Sequence, residues 1–211
     1  MMLTESIIAF ILASALLSIA PGPDNIFVLT QSALYGKKSG VLVTLGLCTG
    51  LIVHTSAVAL GVAAIFQTST VAFTVLKVVG AMYLAYLAWQ AFQASVQNLD
   101  SPAPALRTNG ALYRRGIIMN ITNPKVTIFF LAFLPQFASP VHGALAPQIF
   151  LLGGLFILVA LVIFSAIAFM AGSLGSWLNS SPKAQIYLNR IAGTVFIVLA
   201  LKLVTASANG T

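Results

Sequence analysis

Six long apolar runs, separated by short polar clusters, make up most of the chain. They cover about 5–35, 40–66, 71–93, 116–137, 146–172 and 184–206. Each is apolar around its whole circumference rather than along one stripe, which marks a helix with no watery face. The polar clusters are Gly36-Lys37-Lys38-Ser39, Gln67-Thr68-Ser69-Thr70, and the segments 138–145 and 173–183. The stretch 94–115, with Asn98, Asp100, Pro102, Pro104, Arg107 and Asn109, reads as the one extended loop. It divides the chain into similar halves, about 1–97 and about 116–211, joined by a loop at about 98–115.

Composition turns these runs into membrane spans. The chain has 211 residues, 59% hydrophobic and 6% charged, with a mean hydropathy of +1.02. A soluble domain carries about 25% charged residues, so a soluble enzyme, a disordered chain and a nucleic-acid binder are excluded. A spanning helix takes about 20 residues. The pattern therefore predicts an all-α integral membrane protein of six transmembrane helices, one domain over 1–211, with the lipid bilayer as its main partner. Leu3–Ala20 has no Lys or Arg before it, unlike a secretory signal, and reads as a retained first span. A lone cysteine, Cys48, excludes an internal disulfide.

The net charge of +7 sets an orientation rather than pointing to an acidic partner. Lys37, Lys38, Arg107, Arg114, Arg115, Lys183 and Arg190 cluster after the first, third and fifth runs; Lys77 and Lys202 lie toward the other side. Positive loops stay in the cytoplasm, which puts both termini outside.

Two runs carry interruptions. About 30 residues at helical rise give about 45 Å, too long for a hydrocarbon core of about 30 Å. Within the first run, Ala20-Pro21-Gly22-Pro23-Asp24-Asn25 offers a break: two prolines remove backbone donors, and Gly22 permits a sharp change of direction. The fourth run has Asn120-Ile121-Thr122-Asn123-Pro124-Lys125, where Asn123 and Pro124 read as an N-cap followed by proline at the first helical position. Both are the first spans of their halves, and with three spans per half they run in opposite directions. This predicts a 3+3 inverted repeat with helices 1 and 4 interrupted at proline motifs. Lys77-Val78-Val79-Gly80 and Arg190-Ile191-Ala192-Gly193 echo each other across the repeat. Asp24 lies thirteen residues before Lys37, or about 20 Å, and Lys125 ten residues after Arg115, or about 15 Å, so both arrive near the midplane. Interrupted helices meeting there point to a transporter's substrate site.

Asp24, the acid placed within a span, is read as a helix cap, as a ligand for a substrate ammonium, or as a proton carrier. Lys125 is its complement: a salt-bridge partner, or a receptor for a carboxylate. Free N–H groups at a restarted helix bind anions, so an amino-acid zwitterion fits this place. Asn25 and Asn123 stand beside the two charges. His54, mid-span and followed by Thr55 and Ser56, either passes protons or is simply packed. Gly46-Leu47-Cys48-Thr49-Gly50 is a small-residue face for close helix packing. No sequence motif supports catalysis, a metal or a cofactor.

Together these elements resemble the LysE/RhtB family of amino-acid exporters. The likeness rests on Ala20-Pro21-Gly22-Pro23-Asp24-Asn25, on Gly36 to Gly40, on Gly46 to Thr55, and on Leu76 to Trp89. It extends to Asn120 to Lys125 and Phe133-Leu134-Pro135-Gln136-Phe137. The resemblance implies a bacterial inner-membrane exporter of small amino acids or their derivatives (threonine-, homoserine- or leucine-like), driven by proton exchange. The cysteine pair of the redox branch of that superfamily is missing. The other readings are an exporter of another small solute or cation, and a non-transporting membrane assembly subunit. A homodimer would suit so small a bundle.

Overall fold

A computed structural model describes residues 4–68, 70–96 and 108–205. Of the stretch expected to be an extended loop, 97–107, with Asp100 and Arg107, lies outside the described residues, as does Ser69, and from Asn109 on it is helical rather than loop. The helices are α1 (Thr4–Ile19), α2 (Pro23–Tyr35), α3 (Lys37–Thr68), α4 (Thr70–Gln93), α5 (Asn109–Ile121), α6 (Pro124–Ile128), α7 (Leu145–Ser180) and α8 (Pro182–Thr205). A π-helical turn, Phe129–Phe133, and a 3-10 turn, Leu134–Phe137, carry α6 onward. There is no strand among the described residues.

Stretches within α3, α4, α7 and α8 are each long and apolar enough to cross a membrane. The pair α1 and α2 reaches that length together, bent by 58°, and α5 with the segment Pro124–Phe137 does so with a bend of 50°. Counting each bent pair as one span gives six. The elements outgrow their predicted bounds: α7 runs on to Ser180, and α8 opens at Pro182, so the predicted linker 173–183 is almost wholly helical. α4 and α8 keep close to the predicted runs 71–93 and 184–206, with Lys77 and Arg190 inside them. Apolar context extends a helix past its first polar residues, because serine and glycine tolerate the helix once its neighbours pack.

Between α2 and α3 the chain turns at Gly36, whose φ of +84° suits glycine, and its N–H reaches Ser32 O at 2.9 Å. α3 crosses α5 and α7, α1 and α2 lean on α7, and α4 packs chiefly on α8. Where α3 meets α5 the backbones touch. A Cβ on Gly46 would strike Tyr113 O, and one on Gly116 would strike Val43 O. One turn on, a Cβ on Gly50 would come within 2.7 Å of the Asn120 side chain. Gly46, Gly50 and His54 thus form a stripe at i, i+4 and i+8 that presses α3 onto α5.

Candidate functional site

The two proline motifs meet, and the carbonyls that proline leaves unpaired explain how. Pro21 has no N–H for Leu17 O four residues back, and beyond Ala20 the chain is no longer helical. Lys125 Nζ donates to Leu17 O at 3.2 Å and to Ala20 O at 3.0 Å. Asn25 Nδ2 donates to Ser18 O at 2.6 Å. Three carbonyls at the end of α1 are therefore met by side chains, with a cation at the negative end of the helix dipole. The second break repeats the logic. Pro124 removes the i+4 donor of Asn120 O, which instead accepts from Asn123 N at 3.1 Å and from His54 Nε2 at 3.2 Å.

Each restarted helix has its own start. Asn123 Oδ1 accepts from Lys125 N at 3.0 Å, the predicted N-cap. At α2 the cap position belongs to Gly22, which has no side chain to offer; Asp24 sits in the first turn, so the reading of Asp24 as cap is corrected. Gly22 leaves room for the neighbouring ammonium, since a Cβ there would lie 3.0 Å from Lys125 Nζ.

All five predicted polar residues are buried and gather here: Asp24 is 2% exposed, Asn123 3%, Lys125 6%, and Asn25 and His54 8% each. They divide into two groups. Asp24 does not line the open space; the side chains of Asn120 and Asn123 lie beside it, with Lys125 and His54 in electrostatic range. Its Oδ1 has no hydrogen-bond partner, so Lys125 does not pair with that oxygen. Asn25, Asn123 and Lys125 face a cavity of about 920 Å³. At this end Asn25 Oδ1 is also without a partner, while the amide of Asn123 lies against Asp24. Lys125 spends two of its three N–H donors on carbonyls and keeps one.

From the breaks the cavity extends between α4, α7 and α8 to Ser95, Trp177 and Gln185. That is the end where Lys37, Arg114, Arg115 and Lys183 lie. On the other side of the breaks the space is filled by Phe10, Phe129, Phe130, Phe133, Phe137 and Phe156, with ring centroids 4.9–6.2 Å apart. Sequence reasoning gave no role to Asn120 or to these phenylalanines. The Asn120 role was within reach, four residues before Pro124; the aromatic plug depends on which faces meet and was not.

The sequence has relatives. The family model for the LysE type translocator matches residues 15–207. The homoserine/homoserine lactone efflux protein of Salmonella typhimurium is 34% identical over 198 residues, covering 94% of this chain and 95% of that protein. An uncharacterized membrane protein of Vibrio cholerae is 28% identical over 95% of this chain and 97% of its own. No solved structure matches.

Proposed function

Because the chain belongs to the LysE type translocator family, and is a multi-pass membrane transporter rather than an enzyme, we propose that it exports small amino acids or amino-acid derivatives by exchange for protons. The observation that carries this reading is the cavity ending on Lys125, Asn25 and Asn123. A zwitterion suits that end: its carboxylate takes the spare N–H of Lys125, and its ammonium gives to the unpaired Oδ1 of Asn25. The Salmonella relative, by its name, moves homoserine and homoserine lactone, and homoserine is the first substrate to try.

Asp24 is the proton carrier in this scheme. It lies behind the substrate end rather than in it, and an unpaired carboxylate oxygen deep in the protein is a costly group unless it is given a donor. Proton uptake there and substrate binding in front of it share Asn123 and Lys125, which is the physical route for coupling the two.

Access alternates across the breaks. The cavity opens to the cation-rich end, which is cytoplasmic by the positive-inside rule, in an inner membrane with both termini outside. The phenylalanine cluster closes the far end. A 3+3 inverted repeat underlies this. Gly22-Pro23-Asp24 and Asn123-Pro124-Lys125 occupy equivalent places, with opposite charges. Exchanging the halves also exchanges helix neighbours: α1 on α7 becomes α5 on α3, and α4 on α8 maps onto itself.

The test is counterflow in proteoliposomes preloaded with homoserine, using a panel of labelled amino acids. Uptake of at least one small neutral amino acid is expected, with uphill transport lost when the pH gradient is collapsed. No counterflow of any panel member would remove the proposal.

A further inference from the structure

We infer that the preferred cargo is amphiphilic: an amino acid, or derivative with the same zwitterionic head, carrying an unbranched apolar tail longer than that of homoserine. This rests on the exporter reading above and adds the substrate's shape. Two observations carry it. First, the polar side chains that line the inner end of the cavity, Asn25, Asn123 and Lys125, lie together at the helix breaks. Second, the space leading away from them is walled by hydrocarbon, including Leu29, Leu87, Ile163, Ala166, Ile167 and Phe196. The polar side chains further along are few, Tyr83, Gln90, Ser95, Trp177, Gln185 and Asn189, and two of them are already engaged. Gln90 Nε2 donates to Tyr86 OH at 2.6 Å and Gln185 Nε2 to Leu178 O at 3.0 Å.

Volume points the same way. At about 30 Å³ per water-sized group, the eight non-hydrogen atoms of homoserine fill about 240 Å³, roughly a quarter of the 920 Å³ available. The remainder is lined by side chains that give water few partners, and ordered water needs about three. Cavities of several hundred cubic ångströms, mostly apolar with a few placed polar groups, suit ligands larger than a free small amino acid. A head at the breaks and a tail along α7 and α8 use both parts of the wall.

The experiment is competition against counterflow of labelled homoserine in proteoliposomes of the full chain. Competitors are straight-chain 2-amino acids with side chains from ethyl to octyl, so that the head stays constant. The half-inhibiting concentration should fall roughly threefold to fourfold for each added methylene until the apolar part is filled. Ala166→Trp, which inserts a ring into that part from an exposed position, should move the best competitor to a shorter chain. A length dependence that Ala166→Trp leaves unchanged reflects partition into lipid and overturns the inference. A flat series with homoserine still exchanging also overturns it and leaves the exporter reading intact. Failure of homoserine and every competitor to exchange overturns that reading as well.

Discussion

At the residue scale, Lys125 holds two positions at once. It closes the end of α1 through Leu17 O and Ala20 O, and it lines the cavity with one N–H to spare. Lys125→Met keeps the length and loses the donors. A hydrogen bond to a charged group contributes about 1.5–3 kcal/mol, so homoserine counterflow should fall by more than about tenfold, with thermal unfolding in detergent shifted down as well. Asp24→Asn separates coupling from binding. The amide is isosteric, and Asp24 does not face the cavity, so exchange of substrate for substrate should persist while pH-driven uphill transport disappears; loss of both together would place Asp24 in the substrate site instead. Gly22→Ala brings a methyl to 3.0 Å from the ammonium. A lysine tip can shift, so stability should barely change, whereas apparent substrate affinity should weaken by roughly fivefold, the factor that about 1 kcal/mol of poorer hydrogen bonding gives. Binding measured on the purified variant would check this.

At the element scale, a break in a spanning helix is tolerable only where other groups meet its carbonyls, since lipid offers none. That is why Lys125 meets Leu17 O, which Pro21 frees, while Asn25 and Lys125 meet Ser18 O and Ala20 O where α1 stops, and His54 meets Asn120 O four residues before Pro124. His54 therefore has an assigned hydrogen bond to Asn120 O, and its ring lies against Phe130 with centroids 5.6 Å apart. The glycine stripe of α3 brings these partners within reach. Gly46→Leu must push α3 off the backbone of α5, because a Cβ there would collide with Tyr113 O rather than with a movable side-chain tip. Overpacking of this kind costs about 1–3 kcal/mol or more. The thermal midpoint in detergent should drop clearly, while Gly154→Ala, with nothing within 4 Å, should leave it nearly unchanged.

At the scale of the whole molecule, α4 and α8 pack chiefly on each other, while α7 touches α8 only lightly and instead supports α1, α2 and α3. The cavity lies along this seam, with α4 and α8 on one side and α7 on the other. Rocking the α4–α8 pair against the remaining helices would close the cation-rich end and loosen the phenylalanine plug, as alternating access requires. With Cys48 replaced by serine, Asn189→Cys at the cavity wall should react with an impermeant thiol reagent applied from the cytoplasmic side. Phe133→Cys, fully enclosed by the aromatic cluster, should react far more slowly from either side. Equal reactivity at both positions would show that the plug does not seal.

The sequence by itself determined how many apolar runs there are, where proline interrupts them, and which polar residues enter them. These are local matters: hydrophobic periodicity, missing N–H donors and caps act over a few residues, so Asn123 reads as an N-cap before any neighbour is known. Tertiary structure decided which way each charge faces. Asp24 and Lys125 sit at corresponding places in the two motifs, yet Lys125 lines the cavity while Asp24 does not and lies among Asn123, Asn120 and His54 with Lys125 in range. That choice depends on the close crossing of α3 with α5 and on carbonyls of α1 more than a hundred residues away from Lys125. A group buried in a membrane protein goes where a partner from another helix can meet it, and no local pattern contains that partner.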